Sequence, residues 1–287
     1  MVPAGPIEVA HDRPWATVLR VPLANGAAWF KACGAVQAFE PRLTAELFRR
    51  WPDLVAGVVD HDERRGWLLL LDAGTPLSSI GNRLELWEAL LPRYAELQHG
   101  ETAHAEDHLA HRMPDLRVSR LPERFEDLLR HDLPLEPDEI TRLRAFAPQF
   151  RELCTELAAR GVPETVQHDD LHTWNVYVDA DHMRLLDWGD ASIAHPFESL
   201  VVTFRFLEEL NGLAPDDPWL LRLRDAYLEP WGPGHEETFE LAMRVGAFAR
   251  AVATMRQRDH LSAADYGWFD DEFWTVLRRA LARITQL

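Results

Sequence analysis

Positive charge is scarce in this chain, and lysine is almost absent. Its 287 residues carry 30 basic against 47 acidic side chains, a net charge of −17 with histidine neutral. A nucleic-acid binder needs a basic surface to displace counterions from phosphate, and an anionic membrane attracts the same kind of surface. Neither partner is expected. Cysteine is also scarce. Cys33 and Cys154 are too few for a disulfide framework or a cysteine zinc site, and read as reduced thiols of a cytoplasmic protein. No apolar run approaches the roughly 20 residues that span a bilayer; the longest, Trp67–Leu71, has the length of a strand. No basic segment followed by an apolar stretch marks a secretory signal near Met1. What is present, 47% hydrophobic and 27% charged residues, excludes disorder.

Of the 30 basic residues, 29 are arginine, and Lys31 is the single lysine. Arginine replaces lysine in most roles, but not where a compact ammonium must reach between phosphates or answer one carboxylate. Lys31 therefore marks a position that needs an ammonium, unless it survives on the surface by chance.

The first seventy residues read as strands around one helix. Residues 15–21 and 27–33 are β-prone runs joined across Asn25-Gly26, a hairpin signal that asks both turn residues for positive φ. A helix is expected over 36–51, with Pro41 tolerated near its first turn. Strands are expected over 54–59 and 67–71, and Asp72-Ala73-Gly74-Thr75-Pro76 then breaks the pattern as a hinge. Beyond it the period becomes helical, over 84–97 and 140–159, with short helices and loops between. A β-containing island interrupts, with a strand from Val166 and a hairpin of 176–178 with 183–186. Helices over 199–210, 219–227, 237–256 and 271–284 follow.

The island carries the chemistry. It contains His168-x-Asp170-x-x-x-x-Asn175, then the hairpin, then Asp187-Trp188-Gly189-Asp190. This is the order of a kinase catalytic loop and its metal-binding aspartate. A carboxylate must accept the proton of an attacking hydroxyl, a role for Asp170. Magnesium takes hard oxygen ligands, which Asn175 and Asp187 supply. His168 orients the loop through hydrogen bonds. Singly, each residue also suits an acidic loop capping a hairpin; jointly, with a lone lysine on an upstream strand, they select the kinase reading.

With these residues the chain resembles the aminoglycoside phosphotransferases and their choline-kinase-like and sugar-kinase-like relatives. Residues 166–196 look like that family's catalytic and metal region. Phe30-Lys31-Ala32 and Phe39-Glu40-Pro41 look like its nucleotide lysine and partner glutamate. The resemblance implies an α+β, bilobal protein-kinase-like fold, with a small antiparallel-sheet lobe carrying one helix and a larger, mainly helical lobe. Residues 1–74 would form the nucleotide-binding lobe and hinge, and 75–287 the lobe with catalytic loop and acceptor site. It implies ATP, with GTP as an open alternative, and Mg2+. Lys31 would reach the phosphates and pair with Glu40, Glu46 being the weaker candidate, while Leu71 and Asp72 would meet the base. The γ-phosphoryl would pass to a small hydroxylated acceptor, a cationic one among the options. The rival reading is a non-catalytic, kinase-like nucleotide- or ligand-binding protein.

Three departures stand out. No G-x-G-x-x-G precedes the first hairpin, so the phosphate-covering loop is shortened or built differently. Asp169 stands where the family usually has glycine, either raising the pKa of Asp170 or facing solvent. Trp174 precedes Asn175 where a small residue is common, as an acceptor wall or as lobe packing. Elsewhere, His104, His108 and His111 follow helical spacing that can bind zinc, with His99 nearby, although polar neighbours suit a solvated helix. The aromatic and acidic run 266–274 reads as a helix start, with a cation site as the alternative.

Overall fold

The computed structural model describes residues 2–133, 135–180, 182–262, 265–266 and 270–284. Five antiparallel strands form the small lobe: β1 (Glu8–Arg13), β2 (Ala16–Leu23), β3 (Gly26–Cys33), β4 (Val58–Asp62) and β5 (Trp67–Leu71), in the order β1-β2-β3-β5-β4. The register puts Lys31 opposite Val18 of β2 and Leu68 of β5, in the middle of the sheet. Between β3 and β4 runs α1 (Glu40–Arg50), preceded by a separate short 3-10 turn over Ala35–Gln37. The helix expected over 36–51 is thus split, with Pro41 inside the first turn of α1, where its missing N–H costs nothing.

Three further local expectations shift. β1 is an unpredicted edge strand whose residues are all exposed, so it lacks an apolar alternation to read. Only Gly26 (φ +110°) takes positive φ in the β2–β3 turn, which pairs Leu23 with Gly26 rather than using the mirror-image turn. The strand expected over 54–59 starts only at Val58. Leu54, Val55 and Ala56 are buried instead in the seam between lobes. The Leu185 N–H donates to the Leu54 carbonyl at 2.8 Å, and the Ala56 N–H to the Leu185 carbonyl at 3.2 Å.

The large lobe begins at β6 (Thr75–Pro76) and continues through α2 (Leu84–Glu101), α3 (Ala105–Ala110), α4 (Leu121–Leu128) and α5 (Pro137–Ala159). The island follows as β7 (Thr165–Gln167), β8 (Val176–Asp179), β9 (His182–Leu185) and β10 (Ser192–Ala194). After it come α6 (Leu200–Asn211), α7 (Pro218–Leu228), α8 (Glu236–Arg258) and α9 (Asp270–Ile284). The linker is tied to the island, because β6 pairs with β8 and a Cβ on Gly74 (φ +100°) would strike the Val178 carbonyl. β10, also unpredicted, pairs with β7 and closes the strip. α8 is buried along most of its length, and its Phe248 packs on Phe125, Phe146 and Phe150 at centroid distances of 4.8–5.7 Å. A small antiparallel sheet with one helix over a larger helical lobe matches the fold class expected.

Candidate active site

Lys31 lies where the lobes meet. Its Nζ is 2.6 Å from Glu40 Oε2 and 2.7 Å from Asp187 Oδ1. Burial alone would lower the ammonium pKa, but the Asp187 and Glu40 carboxylates carry it well above its usual value, so it stays charged. A compact ammonium donates to two carboxylates from different directions, which a planar guanidinium does less well. Glu40, in the first turn of α1, also accepts from the Cys33 thiol at 3.3 Å. Glu46, the alternative partner, is engaged by Arg42 at 2.9 Å and Arg50 at 3.5 Å.

The island supplies the other side of the cleft. His168 is fully buried. Its backbone N–H donates to the Tyr94 hydroxyl, its Nε2–H donates to the Leu186 carbonyl at 2.8 Å, and its ring lies 4.7 Å from that of Trp188. Burial lowers its pKa, which keeps the ring neutral. It therefore ties the start of the loop to the residue before Asp187. Asp187 takes a left-handed backbone (φ +62°) at the end of the hairpin and leaves half its side chain open to the cleft.

Asp169 also has φ +60°, which accounts for a glycine-like position that aspartate can occupy. Its carboxylate accepts a hydrogen bond from Ser192 of β10, while burial, with the Asp170 charge adding to it, raises its pKa. Asp170 is surrounded by donors. His172 Nε2 is 3.1 Å from Oδ2, Asn175 Nδ2 donates to Oδ2 at 3.2 Å and to the backbone carbonyl at 2.8 Å, and Arg250 Nη2 is 3.5 Å from Oδ1. Burial opposes ionisation, but His172 and Arg250 outweigh it and hold the carboxyl well below its usual range.

Sequence reasoning gave Arg250 no role. It lies on α8, eighty residues beyond Asp170, and no local pattern marks it. Arg250 also donates to the Asp169 carbonyl at 2.8 Å and reaches Asp190 Oδ2 at 3.5 Å. Asp190 in turn accepts from Gln257 of α8 and, at 3.4 Å, from Gln37 of the small lobe. Burial and the Asp170 charge push its pKa up to about 7 against the pull of Arg250. A Cβ on Gly189 would collide with the Gln37 amide, so the glycine of Asp-Trp-Gly-Asp admits this contact. His172 was visible in the motif but had no assigned role.

The remaining expected residues fall as follows. Leu71 ends β5 with its N–H committed to the Gly57 carbonyl at 2.8 Å. Asp72 is exposed and caps the Gly74 N–H at 3.0 Å. In place of a glycine-rich loop, β1 turns into β2 through Pro14-Trp15, and Asp12 accepts from the Thr17 hydroxyl at 2.8 Å. Trp174 is half-exposed, 5.7 Å from Phe206 and 5.5 Å from His172. Asn175 turns its amide nitrogen toward Asp170, and its backbone carbonyl takes the Leu186 N–H, so it flanks Asp187 across the hairpin base. An amide oxygen and a half-open carboxylate form a hard donor set that suits a magnesium ion.

The histidine run does not converge. Buried His108 pairs with Glu101 at 3.0 Å, His111 contacts the Asp107 carbonyl, and the His99 ring packs on Trp231. Among the described residues, Glu46, Asp107 and His108 do approach one another, but Arg42 and Arg50 cross that group. Of the 266–274 run, residues 267–269 lie outside the described residues, and Asp270 opens α9.

A five-stranded sheet over a helical lobe, with a lysine, glutamate and aspartate meeting at the seam, defines the protein-kinase-like phosphotransferase class. Within it the chain belongs to the phosphotransferase enzyme family, whose model matches residues 9–241. Among solved structures it is similar to a choline kinase, LicA from Streptococcus pneumoniae. That match has TM-score 0.65 and 14% identity, covering 98% of this chain and 95% of that one. It is also similar to APH(2")-IIia in complex with GDP and kanamycin (TM-score 0.62, 14% identity, covering 99% and 95%). A third is the amicoumacin kinase hAmiN with AMP-PNP and Ca2+ (TM-score 0.59, 11% identity, covering 95% and 88%). No curated protein matches by sequence.

Proposed function

We propose that this protein is a small-molecule kinase that moves the γ-phosphoryl group of ATP to an acceptor hydroxyl, with GTP as the alternative donor. The observation that carries the reading is Asp170, a carboxylate kept ionised by His172 and Arg250 in a loop whose Asn175 amide contacts it. Binding a nucleotide needs no positioned base; accepting a hydroxyl proton does. Lys31 would hold the nucleotide phosphates, with Glu40 and Asp187 fixing its ammonium. His168 would anchor the loop, and Leu71 and Asp72 would border the base. Asn175 and Asp187 would hold magnesium, which when bound screens the charge of the phosphate chain. The remaining work is positioning and charge complementarity, as loose phosphoryl transfer requires.

The Pro14-Trp15 turn in place of a glycine-rich loop favours the second reading, a non-catalytic binding protein. Nucleoside diphosphate release with magnesium, across neutral, acidic and amino sugars and other alcohols, separates the two. Acceptor-dependent release is expected, falling at least ~100-fold in Asp170→Asn. Nucleotide binding with no turnover on any acceptor, in the parent as in the variant, favours the binding protein.

A further inference from the structure

A cavity of about 750 Å3 lies in the large lobe between α6, α7, α8 and α9. That volume suits a molecule of sugar or nucleoside size. Two of its walls lead to Asp170. Arg250 lines the cavity and reaches Asp170 Oδ1 at 3.5 Å. Arg205 lines it from α6 with its guanidinium 4.7 Å from the Phe206 ring, on which His172, the other partner of Asp170, packs at 4.6 Å.

The charge of this wall runs against that of the protein. In a chain of net charge −17, the lining holds five arginines and three glutamates. The glutamates are engaged: Glu240 by Arg224 at 3.4 Å, Glu209 by Arg279, and Glu208 is not free either. A cationic acceptor would have to break one of those pairs. Arg244 differs. It is half-buried on α8, its Nε is shut off from water without a partner, and among the described residues it makes no hydrogen bond or ion pair. A guanidinium whose Nε is buried without an acceptor is less favourable until an anion meets it, and its fork matches carboxylate or phosphate.

We propose that the acceptor is an anionic alcohol, seated in this cavity with a carboxylate or phosphate on Arg244 while its hydroxyl lies against Asp170. This rests on the kinase reading and adds the acceptor class. Arg244 precedes Arg250 by six residues, about 9 Å along the helix axis. Both side chains line the cavity.

The test uses the full chain and matched hexoses: glucose, glucosamine, glucuronate and glucose 6-phosphate. Binding is measured by calorimetry in Asp170→Asn, and turnover in the parent, with Arg244→Gln and Arg244→Lys alongside. At least one acid is expected to bind roughly tenfold or more tighter than glucose and glucosamine. Arg244→Gln is expected to raise the KM of that acid roughly 10- to 100-fold with kcat nearly unchanged, and Arg244→Lys to recover part of the loss. Whichever acid prevails distinguishes carboxylate from phosphate. Stronger binding by glucosamine or glucose overturns the proposal, as does failure of both acids to bind at millimolar concentration. The parent's charge preference decides this even should the variants fold poorly. Acids that bind without any turnover would leave the anion site standing and remove the kinase reading. Turnover confined to neutral or cationic acceptors would do the reverse.

Discussion

The small sheet and the helical lobe are held by different physics. The helical lobe is built on one extended core, in which Trp87, Tyr94, Phe125, Phe150 and Phe248 are almost wholly buried. The sheet has only a minor cluster of its own, Ala56, Leu68, Leu70 and Ala73, and even this packs on Tyr177 and Leu186 of the other lobe. Its helix is claimed by the larger body, since Phe39, Leu43 and Leu47 of the α1 region join the main core. Arg50 at the end of α1 forms a bidentate pair with buried Glu101 of α2, with both bonds at 2.7 Å. The sheet is thus docked through one helix face, the buried Leu54–Ala56 segment, its contact with Tyr177 and Leu186, and a few charges.

Three experiments would break or sharpen this contrast. The largest effect is expected from Lys31→Met. It leaves Glu40, 1% exposed, facing Asp187 without a cation, at a cost of about 3–5 kcal/mol. Denaturant unfolding should register this, together with loss of nucleotide binding. An unchanged midpoint would mean that the sheet is held without the charge cluster.

Next is a pair of truncations. Leu47→Ala should cost about 2–5 kcal/mol and lower a single unfolding transition shared by both lobes. Val9→Ala on exposed β1 should stay within about 0.5 kcal/mol. Two separated transitions in the Leu47 variant would show the sheet to be an independent unit.

Third is the acid limb of stability. Although burial opposes it, hydrogen bonds from His108, Arg50 and Trp51 hold the Glu101 carboxyl down to about 2. Its folded pKa lies below its unfolded one, so its contribution is complete above about pH 4.5 and is lost as pH falls toward 2. Over that range stability should fall by about 3 kcal/mol more in the parent than in Glu101→Gln. Equal acid slopes would place the docking of α1 elsewhere.

What could be read without the fold was whatever is encoded over short spans. His168-x-Asp170-x-x-x-x-Asn175, Asp187-Trp188-Gly189-Asp190, the hairpin between them and a single lysine on a strand are spacing and periodicity, legible within a dozen residues. The order of elements followed from the same patterns, except for β1, β10 and the two-residue β6, which lies in the expected hinge. β1 has no apolar face, and β10 is only three residues long.

Tertiary structure decided the rest. It chose Glu40 over Glu46 beside Lys31, turned Asp169 toward Ser192, buried Leu54–Ala56 in the seam, and brought Arg250 to Asp170. Among the described residues it also left Arg244 without a partner on the cavity wall. Each outcome depends on which charge or surface arrives from another element, nine residues away for Glu40 and tens of residues or more for the others. A carboxylate's partner and a guanidinium's solvation are properties of the folded neighbourhood, and the local sequence does not carry them.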